Sequence, residues 1–184
     1  VAPRTVILVG LSGAGKSTAG ARAAERLNAR AAGHPERRWD FEDLDREIER
    51  RTGRTVAEIF ARQGEAAFRK LEVAASAERL GRERLILATG GGWIQLTETV
   101  RALRQGAVML YLQVSPAVAA ERLAGSAERR PLLEGADPAA KLQELLDRRQ
   151  SLYLQADHTL SVDSLSVDEV ASYIVALATG GTED

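Results

Sequence analysis

The stretch that most constrains this chain is Gly10-Leu11-Ser12-Gly13-Ala14-Gly15-Lys16-Ser17-Thr18. It lies between the apolar run Val6-Ile7-Leu8-Val9 and an alanine-rich segment ending at Leu27. The order is strand, glycine loop, helix, which is the context a phosphate-binding P-loop requires. Glycines let backbone N–H groups turn inward around phosphate oxygens where a Cβ would obstruct them. The helix that follows adds the positive end of its dipole. Lys16 reaches β- and γ-phosphates, and the Ser17 hydroxyl is a ligand for Mg²⁺. The motif predicts a nucleoside triphosphate site formed by Gly13, Ala14, Gly15, Lys16, Ser17 and Thr18, with Mg²⁺ as cofactor.

The rest of the chain alternates as an α/β protein should. Residues 28–38, rich in Ala, Arg, Gly and Pro, have neither helical nor strand periodicity and predict a surface loop. A short strand is expected at 39–42 and a charged helix at 46–51, closed by Gly53. Thr55-Val56-Ala57-Glu58 is a capping box that opens a helix to about Gln63. Gly64 breaks it, and a longer helix is expected from Glu65 to about Leu80. Leu85-Ile86-Leu87-Ala88 and Ala107–Leu112 are continuous apolar runs, as parallel strands buried on both faces must be. A helix over 98–104 lies between them. Ser115-Pro116 and Asp137-Pro138 are caps followed by proline at the first helical position, predicting helices to about Leu123 and Gln155. A last strand at 159–162 and a helix opened by the capping box Ser166-Val167-Asp168-Glu169 complete the pattern, with a disordered tail after Ala178. The prediction is a three-layer fold: a mostly parallel sheet of about five strands with helices on both faces. Ligands bind beyond the carboxyl ends of such strands.

Composition bounds the partners. The 184 residues suit a single domain. The formal net charge of −1 gives no electrostatic reason for a nucleic-acid or membrane partner. No cysteine is present, which removes disulfides and thiolate chemistry. No apolar run is long enough for a bilayer or a signal peptide. A soluble, cytoplasmic, monomeric protein is expected.

Four further groups of residues bear on chemistry. Asp43 and Asp45 can both face one side of a strand end. One reading is that an aspartate caps the following helix; the other is that the pair serves a metal and an attacking hydroxyl beside the P-loop. Thr89-Gly90-Gly91-Gly92 permits close backbone approach to a ligand, beyond what a tight turn needs. Arg69 and Glu72 share a helix face, as a solvated ion pair or as part of a site. Arg130 lies in the irregular segment 124–136, either an ordinary charged loop or a lid closing over a triphosphate.

Taken together, GLSGAGKST at 10–18, FEDLDREIERRTG at 41–53, IFARQGEAAFRKLE at 59–72, ATGGGW at 88–93, RRPLL at 129–133 and RRQSLY at 148–153 resemble the shikimate kinase family, in the family's order. The resemblance implies a single P-loop kinase domain over 1–184, with a substrate-binding region at about 43–80 and a lid at about 124–136. Its implied activity is transfer of the γ-phosphoryl of ATP to the 3-hydroxyl of shikimate. Lys16, Asp45 and Arg130 would be catalytic. Ser17 and Asp43 would attend the metal, Asp43 through water. Asp45, Arg69, Gly90, Gly91, Gly92 and Arg149 would bind shikimate, and Arg130 would also contact nucleotide. Three features depart from the family pattern. The 28–38 stretch is about ten residues longer than expected. Trp93 stands where a smaller residue is expected and is predicted to reshape one pocket wall. Ser151 replaces a proline. Arg122 and Arg129 compete with Arg130 for the role of the arginine stacked on adenine. The alternatives are another small-metabolite kinase of gluconate type and a non-catalytic ligand-sensing module.

Overall fold

The apolar runs form five parallel strands in a computed structural model that describes residues 5–125 and 137–181. The strands are β1 (Thr5–Val9), β2 (Asp40–Asp43), β3 (Leu85–Ala88), β4 (Ala107–Gln113) and β5 (His158–Ser161), in the spatial order β2-β3-β1-β4-β5. Every neighbouring pair is parallel, so the expected mostly parallel sheet is parallel throughout. β1 and β3 are buried at every residue, which is why they read as unbroken apolar runs. β5, at one edge, alternates half-buried and exposed positions, and β2, at the other, carries Asp40, Glu42 and Asp43.

Seven α-helices lie among the described residues: α1 (Lys16–Arg30), α2 (Leu44–Thr52), α3 (Val56–Ala77), α4 (Thr97–Leu103), α5 (Pro116–Ala124), α6 (Pro138–Tyr153) and α7 (Val167–Thr179). They cover both faces of the sheet; α1 packs on α7, α2 on α3, and α5 on α6. The two capping boxes, at Thr55 and Ser166, and the Ser115 and Asp137 caps all form. α3 is interrupted at Gly64, whose φ of 81° and ψ of 170° are not helical, so the expected break is there. Several boundaries move by one to three residues; α1, for one, runs on to Arg30, into the stretch expected as loop. α2 starts at Leu44 because Asp43 provides its cap. α3 stops at Ala77, with turns rather than helix running on to Gly81. α7 runs to Thr179, with Gly180 as its left-handed cap, and residues 182–184 of the predicted tail lie outside the described residues. Among the described residues no helix is long and apolar enough to cross a membrane.

The long 28–38 connection is closed at its base by one side chain. Asn28 donates from Nδ2 to the Trp39 carbonyl at 3.0 Å and accepts from the Trp39 N–H at 2.8 Å. Beyond that clip the chain makes one 3-10 turn, Pro35–Arg37, and is largely exposed. None of these residues lines either of the clefts described below. Replacing 31–37 with a short Gly-Ser connection is therefore expected to keep both substrate KM values within twofold, since loop closure changes by under about 1 kcal/mol for such a length change. A hundredfold rise in either KM in a well-folded deletion would place the loop in the site.

Candidate active site

β1 is the strand from which the chain departs in both directions: β3 and β2 on one side, β4 and β5 on the other. The crevice at its carboxyl end is the switch point of the sheet, and the P-loop occupies it. Lys16 is buried there, its Nζ donating to the carbonyls of Gly10 and Leu11, both at 2.8 Å. The parallel register sets Leu8 beside Ala88 and Ala88 beside Asp43. Asp43 thus ends β2 at the level of the P-loop although 25 residues separate it from Thr18 in sequence.

Asp43 is the helix cap of the first reading, and it also touches the P-loop. Its Oδ1 accepts from the Arg46 N–H at 3.2 Å and caps α2, while its Oδ2 accepts a hydrogen bond from the Ser17 hydroxyl of the P-loop. Asp45, in the first turn of α2, has its carboxylate against the glycine loop: a Cβ at Gly90 would come within 2.9 Å of Asp45 Oδ1 and of Glu72 Oε1. At Gly92 a Cβ would overlap the Arg69 guanidinium. At two of the three glycines, charged side-chain ends lie directly on the loop, and a larger residue there would have to displace them.

The clefts follow from this arrangement. A large one, about 960 Å³, is lined by the P-loop, Asp43, Asp45, Arg122 and residues around the start of α7. A small one, about 60 Å³, has apolar walls from Leu11, Phe60, Phe68, Leu142 and Leu145 and carries Arg69 and Arg149. Asp45, Ser12, Val56, Gly90 and Gly91 border both. Two guanidiniums in an apolar recess suit a small carboxylate, since their planar forks pair with it in two parallel hydrogen bonds.

Arg69 and Glu72 are not the solvated pair that is one reading of their spacing. Glu72 is completely buried, and its Oε2 accepts from Arg69, which also donates to Glu65 at 2.7 Å. Burial pushes the Glu72 carboxyl up to about 7, against the pull of the Arg69 guanidinium. Its Oε1, and the Nε of the buried Arg149, have no hydrogen-bond partner among the described residues. Glu72 is the site group that the sequence reading underrated. The signal was there: it falls in the buried stripe Phe68, Glu72, Ala75, Ser76 of α3.

Two further expectations change. Trp93 does not form a pocket wall: it is completely buried, with its indole N–H bonded to Ser76 Oγ, and lies outside both cleft linings. A large flat apolar ring with one donor is at lower free energy in the core. Arg122 stands on the large cleft, donating to Val162 O at 2.8 Å and Gly13 O at 3.4 Å. Arg130, Arg129 and most of the 124–136 segment lie outside the described residues.

Sheet and P-loop define the fold of a P-loop kinase, with an arginine-bearing recess beside the P-loop. The shikimate kinase family model matches residues 12–179. The chain is 35% identical over 172 residues to the shikimate kinase of Pelotomaculum thermopropionicum, covering 94% of each. It is 43% identical over 161 residues to that of Pseudomonas syringae pv. tomato, covering 87% of each. The shikimate kinase from Acinetobacter baumannii, solved in complex with shikimate, has a TM-score of 0.85 to this chain at 33% identity, covering 99% of this chain and 96% of that one. The chain belongs to the shikimate kinase family.

The raised Glu72 carboxyl has a consequence for stability. Between its ordinary 4.5 and about 7 the folded protein holds a proton that the unfolded chain has released. Its contribution is thus full below about pH 4.5 and is lost as pH rises through 7, by up to about 3 kcal/mol. Glu72→Gln removes the titration. Between pH 5 and 8 the Tm of the wild type should fall relative to that of the variant; parallel Tm curves would show that Glu72 does not titrate there.

Proposed function

We infer that this chain is an ATP-dependent kinase that phosphorylates shikimate, at its 3-hydroxyl. Family membership supports the reaction, and the observation that carries the residue assignment is that Asp45 borders both the P-loop cleft and the arginine pocket. Triphosphate lies in the larger cleft along Gly13, Ala14, Gly15, Lys16, Ser17 and Thr18. Shikimate lies in the smaller, its carboxylate held by Arg69 and Arg149 and its ring against Gly90, Gly91 and Gly92.

The hydroxyl oxygen then attacks the γ-phosphorus in line. The new O–P bond forms as the bond to the bridging oxygen of ADP breaks, and the hydroxyl proton passes to the Asp45 carboxylate. Lys16 follows the negative charge on the β- and γ-oxygens. The Ser17 hydroxyl and Asp43 carboxylate, two hard oxygen donors in contact beside the P-loop, fit a cation that takes its other ligands from phosphates and water. They would hold Mg²⁺, Asp43 through water, and the ion supplies neutralisation of phosphate charge. Arg130, arriving with a lid at 124–136, is assigned to the nucleotide, and residues 43–80 to the substrate-binding region. The enzyme works as a cytoplasmic monomer in this reading.

The direct test is ADP release coupled to a reporter, with shikimate, quinate, gluconate and a nucleoside monophosphate as acceptors. Turnover is expected with shikimate above all others. Equal rates with gluconate would favour a different metabolite kinase, and ATP and shikimate binding without turnover would favour a sensing module.

Asp45 and Arg149 should fail differently. Asp45→Asn acts on the transition state and is expected to lower kcat by roughly 10²–10⁴-fold, the range of a positioned base, with the ATP KM nearly unchanged. Arg149 meets a carboxylate that does not change during reaction, so Arg149→Ala should lose about 1.5–3 kcal/mol of charged hydrogen bonding, mainly in the shikimate KM. Measuring kcat and both KM values separates the two; wild-type kcat in Asp45→Asn would leave the aspartate with no part in proton transfer.

A further inference from the structure

The turn after the three glycines is fastened to α3 at a point remote from both clefts. Trp93 and Ser76 are completely buried, and the indole Nε1–H donates to Ser76 Oγ at 2.9 Å. The Trp93 backbone N–H donates in turn to Gly90 O at 3.0 Å, which ties the residue carrying the indole to the glycine loop.

Ser76 lies on the α3 face that also carries Arg69 and Glu72, at the i, i+3, i+7 spacing of one helical stripe. The loop meets this stripe at each level: Gly92 on Arg69, Gly90 on Glu72, and Trp93 on Ser76. The first two contacts involve charged side chains, of which Arg69 is held by its ion pairs to Glu65 and Glu72. The third is a neutral, directional hydrogen bond between a rigid ring and a short side chain, both completely buried. An indole N–H buried without an acceptor is strongly disfavoured, so this bond admits one register of loop on helix.

We propose that the Trp93–Ser76 hydrogen bond is a positioning device for the acceptor pocket: it sets the glycine loop against α3 and thereby fixes where Arg69 presents its guanidinium. Gly92 leaves no room for even a methyl group against that guanidinium. A shift of the loop by a few tenths of an ångström therefore presses on Arg69 first, since a Cβ at Gly91 would meet the P-loop residues Ser12 and Gly10 only at ordinary contact distance. The proposal rests on the reading of Arg69 as a ligand of the substrate carboxylate.

Ser76→Ala, Trp93→Phe and the double variant test it, each with kcat, both KM values and Tm measured. Each single variant is expected to raise the shikimate KM by roughly three- to tenfold, with the ATP KM within twofold. Ser76→Ala strands the indole N–H and lowers Tm; in the double variant that donor is gone, so Tm recovers part of the loss relative to additivity. The shikimate KM should nonetheless stay raised in the double variant, which a purely stabilising bond would not produce. A wild-type shikimate KM in either well-folded single variant, or a KM that returns with Tm in the double, overturns the positioning role. Failure of the wild type to turn over shikimate overturns instead the assignment of the site on which the proposal stands.

Discussion

The site depends on one feature of the sheet: β1 is flanked by strands that the chain reaches in opposite directions. β3 approaches from one side and β4 from the other, so the crossovers leave a crevice at the carboxyl end of β1 that no helix fills. The P-loop lies in that crevice, and the parallel register brings the end of β2 level with it. Ser17 and Asp43 meet because β1, β3 and β2 are in register across Leu8, Ala88 and Asp43. A slip of a single residue in β2 would turn Asp43 to the other face and carry its carboxylate away from the serine.

The second organising constraint is electrostatic. Arg69 and Arg149 line a recess with apolar walls and Glu72 is completely buried against Arg69, surroundings in which a lone charge would be expelled or neutralised. They persist there through one another: Arg69 donates to Glu72, and Arg149 lies near enough to bias the same carboxyl. The compensation is incomplete, as the raised Glu72 carboxyl and the open Nε of Arg149 record. An anionic ligand between the two guanidiniums would complete it.

The glycine loop joins the two constraints. Its residues are small because Asp45, Glu72 and Arg69 press on them, and its far end is tied to α3 through Trp93 and to α6 through the Tyr153 hydroxyl, which donates to Gly91 O. The loop therefore forms one wall that three helices, α2, α3 and α6, define together.

Local chemistry determined much of this from sequence alone. The P-loop, the parallel strands as unbroken apolar runs, the helix caps and the Gly64 break depend on neighbours within a few residues, and each is legible there. Lys16, Ser17, Asp43, Asp45, Arg69, Gly90, Gly91 and Gly92 stand out by type and order as candidates, whereas Arg149 is anonymous by composition and is singled out only by the family resemblance. Tertiary structure decided what burial decides. Glu72 reads as half of a surface pair until Phe68 and the glycine loop enclose it, and only then does its carboxyl shift. Trp93 reads as a pocket wall until α3 offers Ser76 to its N–H. Asp43 caps α2, and the sheet register alone brings its other carboxylate oxygen to Ser17 of the P-loop. Spacing along the chain fixes which side chains share a face, but exclusion from water is set by elements far apart in sequence, and it is exclusion that gives these groups their chemistry.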